Sequence, residues 1–120
     1  MDNTESILEV EANTKVQNQD FRFFSKLIDL KPYDQLSKWI DDHDILVYFY
    51  EGELKALSNI CPHFGGPVGY RKAKDGLFTC LWHNWQFSCK DGSCKTHPGL
   101  PLREYQVELR GEDIFINLLG

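Results

Sequence analysis

Several features are missing from these 120 residues, and each absence closes a class of function. No apolar run reaches the 18 or so residues that a membrane-spanning helix needs. Basic residues are the minority, 13 Lys and Arg against 18 Asp and Glu. The resulting net charge of −5 argues against non-specific nucleic-acid binding, which requires a basic surface. The opening MDNTESILEVEANT has no positive stretch followed by an apolar one, so it does not read as a secretory signal. There is no G-x-G-x-x-G to mark a dinucleotide site, no internal repeat and no low-complexity tract. The default expectation is a cytoplasmic protein with neither nucleic acid nor membrane as partner.

What is present suits one domain. A chain of this length buries somewhat over about 60% of its unfolded surface, and 42% hydrophobic residues are enough to do it. Residues 1–19 are polar and read as an N-terminal tail, with Ile7, Leu8 and Val10 as a possible short strand. Strand patterns follow at 21–27, 45–50, 54–58, 77–80, 85–89, 93–95, 105–110 and 113–118. Glu51-Gly52, Asp75-Gly76, Asp91-Gly92 and Gly111-Glu112 supply turns between them. Residues 34–40 (DQLSKWI) read instead as a short helical turn, with Asp34 as cap and Leu36, Trp39 and Ile40 on one side. Short strands at this spacing predict an all-β, antiparallel sandwich or barrel.

The chemistry is concentrated between Asn59 and Cys94. Cys61-Pro62-His63 and Cys80-Leu81-Trp82-His83 each join a soft thiolate donor to an imidazole, with sixteen residues between His63 and Cys80. Two cysteines and two histidines are also a common structural zinc set. Zinc spacings, however, usually put both cysteines in one knuckle and both histidines in the other. Here each knuckle is mixed.

The pattern C-x-H then C-x2-H is accompanied by Gly65-Gly66, by His83-Asn84-Trp85-Gln86-Phe87, by Asp91-Gly92 and by His97-Pro98-Gly99. Together these resemble the Rieske family over roughly residues 21–118. The resemblance implies a [2Fe-2S] cluster, with Cys61 and Cys80 on a buried iron and His63 and His83 on the outer one. It also implies a β-sandwich or barrel base, residues 20–58 and 102–119, carrying a small inserted cluster-binding subdomain at about 60–101. The whole domain would cover residues 20–120. Pro62 would stiffen the first knuckle, and Gly65 and Gly66 would let backbone N–H groups approach the cluster. Residues 97–101 would form its apolar cover.

Two departures from the family pattern bear on redox potential. High-potential members join the two loops by a disulfide, and the matching positions here are Gly66 and Trp82. They also place serine and tyrosine hydroxyls where this chain has Trp85 and Phe87. Fewer donors to the reduced cluster place the expected potential in the lower third of the family's span of about −150 to +300 mV. A third departure is Asn84, which stands where many relatives have glycine and marks a left-handed backbone position.

Outside the ligand set, Cys89 and Cys94 read as reduced cysteines in strands, a bridge across their hairpin being the alternative. His43, among Asp41, Asp42 and Asp44, reads as a solvated surface histidine, and His97 as part of the covering loop. Arg71, Lys72 and Lys74 form a basic loop that is either simply solvated or steers an acidic partner. Only His43 and His97 are left to build a second iron site, so the chain is expected not to be an enzyme itself.

The favoured expectation is a ferredoxin passing single electrons from a flavin-dependent reductase to a terminal oxygenase. It would dock transiently at a tip ringed by Phe64, Trp82, Pro98 and Leu100. The alternatives are a Rieske-like small subunit or regulatory module of a larger redox enzyme such as nitrite reductase, and a zinc-stabilised interaction domain. A respiratory-complex subunit is excluded by the missing anchor and bridge cysteines.

Overall fold

The most apolar run of the chain explains the architecture. In a computed structural model, which describes residues 21–31 and 33–119, this run lies in strand β3 (His43–Tyr50), and both of its faces are covered. Ile45 and Val47 point into one core while Leu46 and Tyr48 point into another. A strand buried on both sides has no polar face, so it shows no alternation in sequence. The expected N-terminal tail, with its possible strand at residues 7–10, lies outside the described residues.

The first core fills a curled antiparallel sheet. Its strands are β1 (Phe21–Lys26), β2 (Gln35–Ile40), β3, β4 (Glu53–Ser58), β7 (Glu104–Arg110) and β8 (Asp113–Asn117), in the order β1-β8-β7-β4-β3-β2. Two ties join the outermost strands. The Lys38 ammonium donates to the Phe24 carbonyl at 2.7 Å, and Arg22 pairs with Asp41 at 2.9 Å. The sheet is thereby nearly closed into a barrel. Phe24, Ile45, Val47, Ala56, Tyr105, Ile114 and Ile116 fill it, and Leu30 joins them from a 3-10 turn at Leu27–Leu30.

Residues 34–40 correct the sequence reading, because they form an edge strand rather than a helical turn. Six consecutive residues pair with β3, from Gln35 opposite Tyr48 to Ile40 opposite His43. Leu36, Trp39 and Ile40 do match helical spacing, but strand pairing outweighs so short a local preference. Glu51-Gly52 and Asp75-Gly76 are two-residue turns with positive φ at both positions, as type I′ hairpins require.

Between β4 and β7 the chain leaves the barrel and returns to it. That excursion holds β5 (Leu77–Thr79) and β6 (Gln86–Ser88), which pair with each other. The segment after β6 runs back along it, with Cys94 opposite Phe87. Phe78, Phe87, Val68 and Leu102 pack there against Leu46, Tyr48 and Leu57 of the barrel wall. Three side chains tie the excursion down. Buried Asn59 accepts from the Gly69 N–H at 2.6 Å and donates to Asp44 at 3.1 Å. Gln35 of β2 donates to the carbonyls of Gly69 and Arg71 and accepts from the Ala73 N–H. Tyr48 donates to the Cys89 carbonyl at 2.6 Å.

Candidate metal centre

Each ligand pair sits on a loop closed in the same way. The Cys61 N–H donates to the Gly66 carbonyl at 2.9 Å, and the Cys80 N–H to the Trp85 carbonyl at 2.8 Å. In both loops the residue before that carbonyl is left-handed, Gly65 at φ 80° and Asn84 at φ 57°. The left-handed reading of Asn84 is therefore correct. His83 has φ 67° as well, which no sequence signal indicated. The Leu81 N–H reaches the Pro67 carbonyl at 3.3 Å and joins the two loops.

This arrangement faces two thiols toward each other inside the protein and two imidazoles outside them. Cys61 and Cys80 are 1% and 0% exposed. Burial pushes the Cys61 thiol up, the backbone N–H groups of His63 and Phe64 pull it down, and the Cys80 thiol within hydrogen-bond reach raises it again. His63 and His83 lie edge to face with ring centroids 5.0 Å apart. Burial, then the neighbouring His83 and His97, lower the pKa of His63. Its Nδ1 is buried without a hydrogen-bond partner, an orphaned acceptor of the kind a metal would satisfy.

Among the described residues, no three His, Cys, Asp or Glu side chains converge on one point. A single tetrahedral zinc would need four donors around one centre. A thiol pair beside an imidazole pair instead offers two donors to each of two irons. The residues present fit a two-iron cluster.

Gly66 also has a steric part. Its neighbour Gly65 gives its N–H to the Cys61 carbonyl at 2.8 Å, while the N–H groups near the Cys61 sulfur belong to His63 and Phe64. What Gly66 supplies is room, because a Cβ there would lie 2.9 Å from the Cys80 Sγ and 3.0 Å from the Trp82 ring. The Trp82 indole thus packs on Gly66 at the two positions matching the bridge of high-potential relatives.

Residues 23–106 match the Rieske [2Fe-2S] domain family. The chain belongs to the Rieske family. The biphenyl 2,3-dioxygenase ferredoxin component of Rhodococcus jostii is 30% identical over 93 residues, 77% of this chain and 87% of that one. The alkene monooxygenase ferredoxin component of Xanthobacter autotrophicus is 28% identical over 78 residues, 64% of each chain. Human apoptosis-inducing factor 3 is 32% identical over 73 residues, but that match spans only 12% of its length. Among solved structures, the ferredoxin of carbazole 1,9a-dioxygenase from Nocardioides aromaticivorans superposes with a TM-score of 0.70 at 22% identity, covering 80% of this chain and 95% of that one. A Rieske domain carries a Rieske [2Fe-2S] cluster.

Other residues of this Rieske domain depart from the sequence reading or extend it. His43 is not a free surface histidine, since it begins β3 half-buried with Nδ1 2.9 Å from the Tyr105 hydroxyl. Cys89 and Cys94 are both free and buried, and Cys94 faces Phe87 rather than Cys89. Of the basic loop, Arg71 reaches the knuckle at Asn84 (3.4 Å), whereas Lys72 lies over the Tyr33 ring. Phe64, Trp82, Pro98 and Leu100 are all exposed, as expected of a rim. Asn59 and Gln35 were not identified in advance, for neither belongs to a motif. No described helix is long and apolar enough to cross a membrane.

Proposed function

We propose that this Rieske protein is a one-electron carrier, a ferredoxin taking electrons from a flavin reductase and delivering them to a terminal oxygenase. Cys61 and Cys80 would hold the buried iron, and His63 and His83 the outer one. The carrying observation is the His63 Nδ1, buried and unpartnered beside His83, with the thiol pair behind it. When bound, the cluster supplies reversible one-electron exchange at fixed ligation.

The chain's own residues do the rest. Residues 60–101 act as the cluster-binding unit. Burial of the two cysteines keeps water from the sulfur side, and exposed His83 lies closest to a partner. Phe64, Trp82 and Leu100 give the tip a small apolar rim of the size that suits transient docking, below about 1,200 Å². Arg71, beside Asn84, places one positive charge at its edge for an acidic partner. The reading as a carrier rather than a catalyst draws support from the other two histidines. His43 lies against Tyr105 of the barrel and His97 against Trp85 of the excursion, so the two are not paired in one two-histidine, one-carboxylate iron site.

Redox titration of anaerobically purified protein with low-temperature electron paramagnetic resonance tests this. A rhombic reduced-state signal of low average g, titrating in the lower third of the family span, is the expected result. Zinc in place of iron would overturn it. A second reading is favoured by the match that spans only 12% of human apoptosis-inducing factor 3, since the domain occurs there within a longer chain. If this protein is likewise a module of a larger redox enzyme, it will co-purify with that enzyme in fixed stoichiometry.

A further inference from the structure

The two candidate imidazoles are held very differently. His63 lies almost parallel to the Trp85 indole, centroids 4.3 Å apart and planes 8° apart. The same indole stacks on His97 at 3.8 Å and 10°. Two imidazoles so close to one indole face would touch each other, so they must occupy opposite faces. Phe64 covers His63 at 4.0 Å, and Trp85 leaves it only the opposite face. The result is a pile of four rings, with buried Trp85 at 8% exposure between the candidate ligand and a solvent-exposed histidine. The backbone of His97 is itself held, because its amide N–H donates to the Cys94 Sγ at 3.2 Å. No such pile holds His83, whose aromatic neighbours meet it at steep angles.

We propose that Trp85 and His97 are positioning residues that set the ring plane of His63, His97 acting as the outer jaw that keeps the indole flat. The proposal rests on His63 being an iron ligand. Physically, an imidazole can swivel about its Cβ–Cγ bond, and a metal senses that rotation through the overlap of the nitrogen lone pair. A flat indole on one face and Phe64 on the other remove the swivel. Without His97, the indole loses one of its two stacked faces and is free to tilt. The Trp85 indole separates the His97 ring from that of His63, so His97 positions the ligand through the stack.

The test uses the cluster-loaded full chain and three variants, His97→Ala, His97→Phe and Trp85→Leu. The readouts are the g-values of the reduced protein and the rate at which a chelator bleaches the visible absorbance. His97→Ala should shift or broaden the g-values and speed bleaching roughly two- to tenfold, the range an aromatic pair of ordinary strength supports. His97→Phe, which keeps a ring on the indole, should restore both. Trp85→Leu should show the larger change. If it does not fold, exposed His97 still decides the matter. Unchanged g-values and bleaching in His97→Ala overturn the positioning role when His63→Ala abolishes the signal. A signal that survives His63→Ala overturns the ligand assignment itself, and the positioning role with it.

Discussion

The two knuckles are built on one plan and finished differently. Both close from the cysteine amide to a carbonyl five residues on, and both turn through a left-handed residue just before it. The first fills its closing position with Gly66, which makes space beside the Cys80 sulfur. The second fills it with Trp85, which makes a wall against His63. Each loop thus completes the other's site: glycine of the first admits the cysteine of the second, and tryptophan of the second holds the histidine of the first. In consequence His63 is clamped while His83 stays exposed.

The comparison breaks hardest at Gly66. Gly66→Ala puts a methyl 2.9 Å from the buried Cys80 Sγ and 3.0 Å from the Trp82 ring, and iron content per chain should fall close to zero. Asn59→Ala comes next. It strips partners from the Gly69 N–H and Asp44 at the root of the first knuckle, and should cost about 1–3 kcal/mol in denaturant unfolding.

A smaller effect concerns a cysteine outside both knuckles. Burial pushes the Cys89 thiol up to about 11 from the ordinary 9.0. Folded protein keeps that proton where the unfolded chain loses it, so stability should decline as pH rises from 9 toward 11. Denaturant midpoints across that range should fall, and Cys89→Ala should flatten the decline. The smallest change sharpens the parallel. Gly65 and Asn84 hold equivalent left-handed places, so Gly65→Asn and Asn84→Gly should each alter stability by less than about 1 kcal/mol, with spectra unchanged.

How far the sequence could reveal this depended on whether the cause was local. Cys61, His63, Cys80 and His83 announce themselves because ligand spacing is short and chemically rare, and Glu51-Gly52 and Asp75-Gly76 because a tight turn restricts residue type. Residues 34–40 misled because an edge strand with one partly covered face shows weak alternation, leaving a helical spacing to dominate. The settings of His43, Gln35 and His97 come from partners far along the chain: Tyr105, the Gly69–Ala73 backbone and Trp85. Nothing in the neighbouring residues encodes such contacts.

Strand β3 has a consequence for how the domain fails. Its alternate side chains serve as common masonry for the barrel and the metal-bearing excursion. The two cores share this wall, so melting of the tip and loosening of the barrel should be coupled. Heat should therefore erase colour and β-structure together. On heating, loss of the iron should then follow the unfolding of this shared strand.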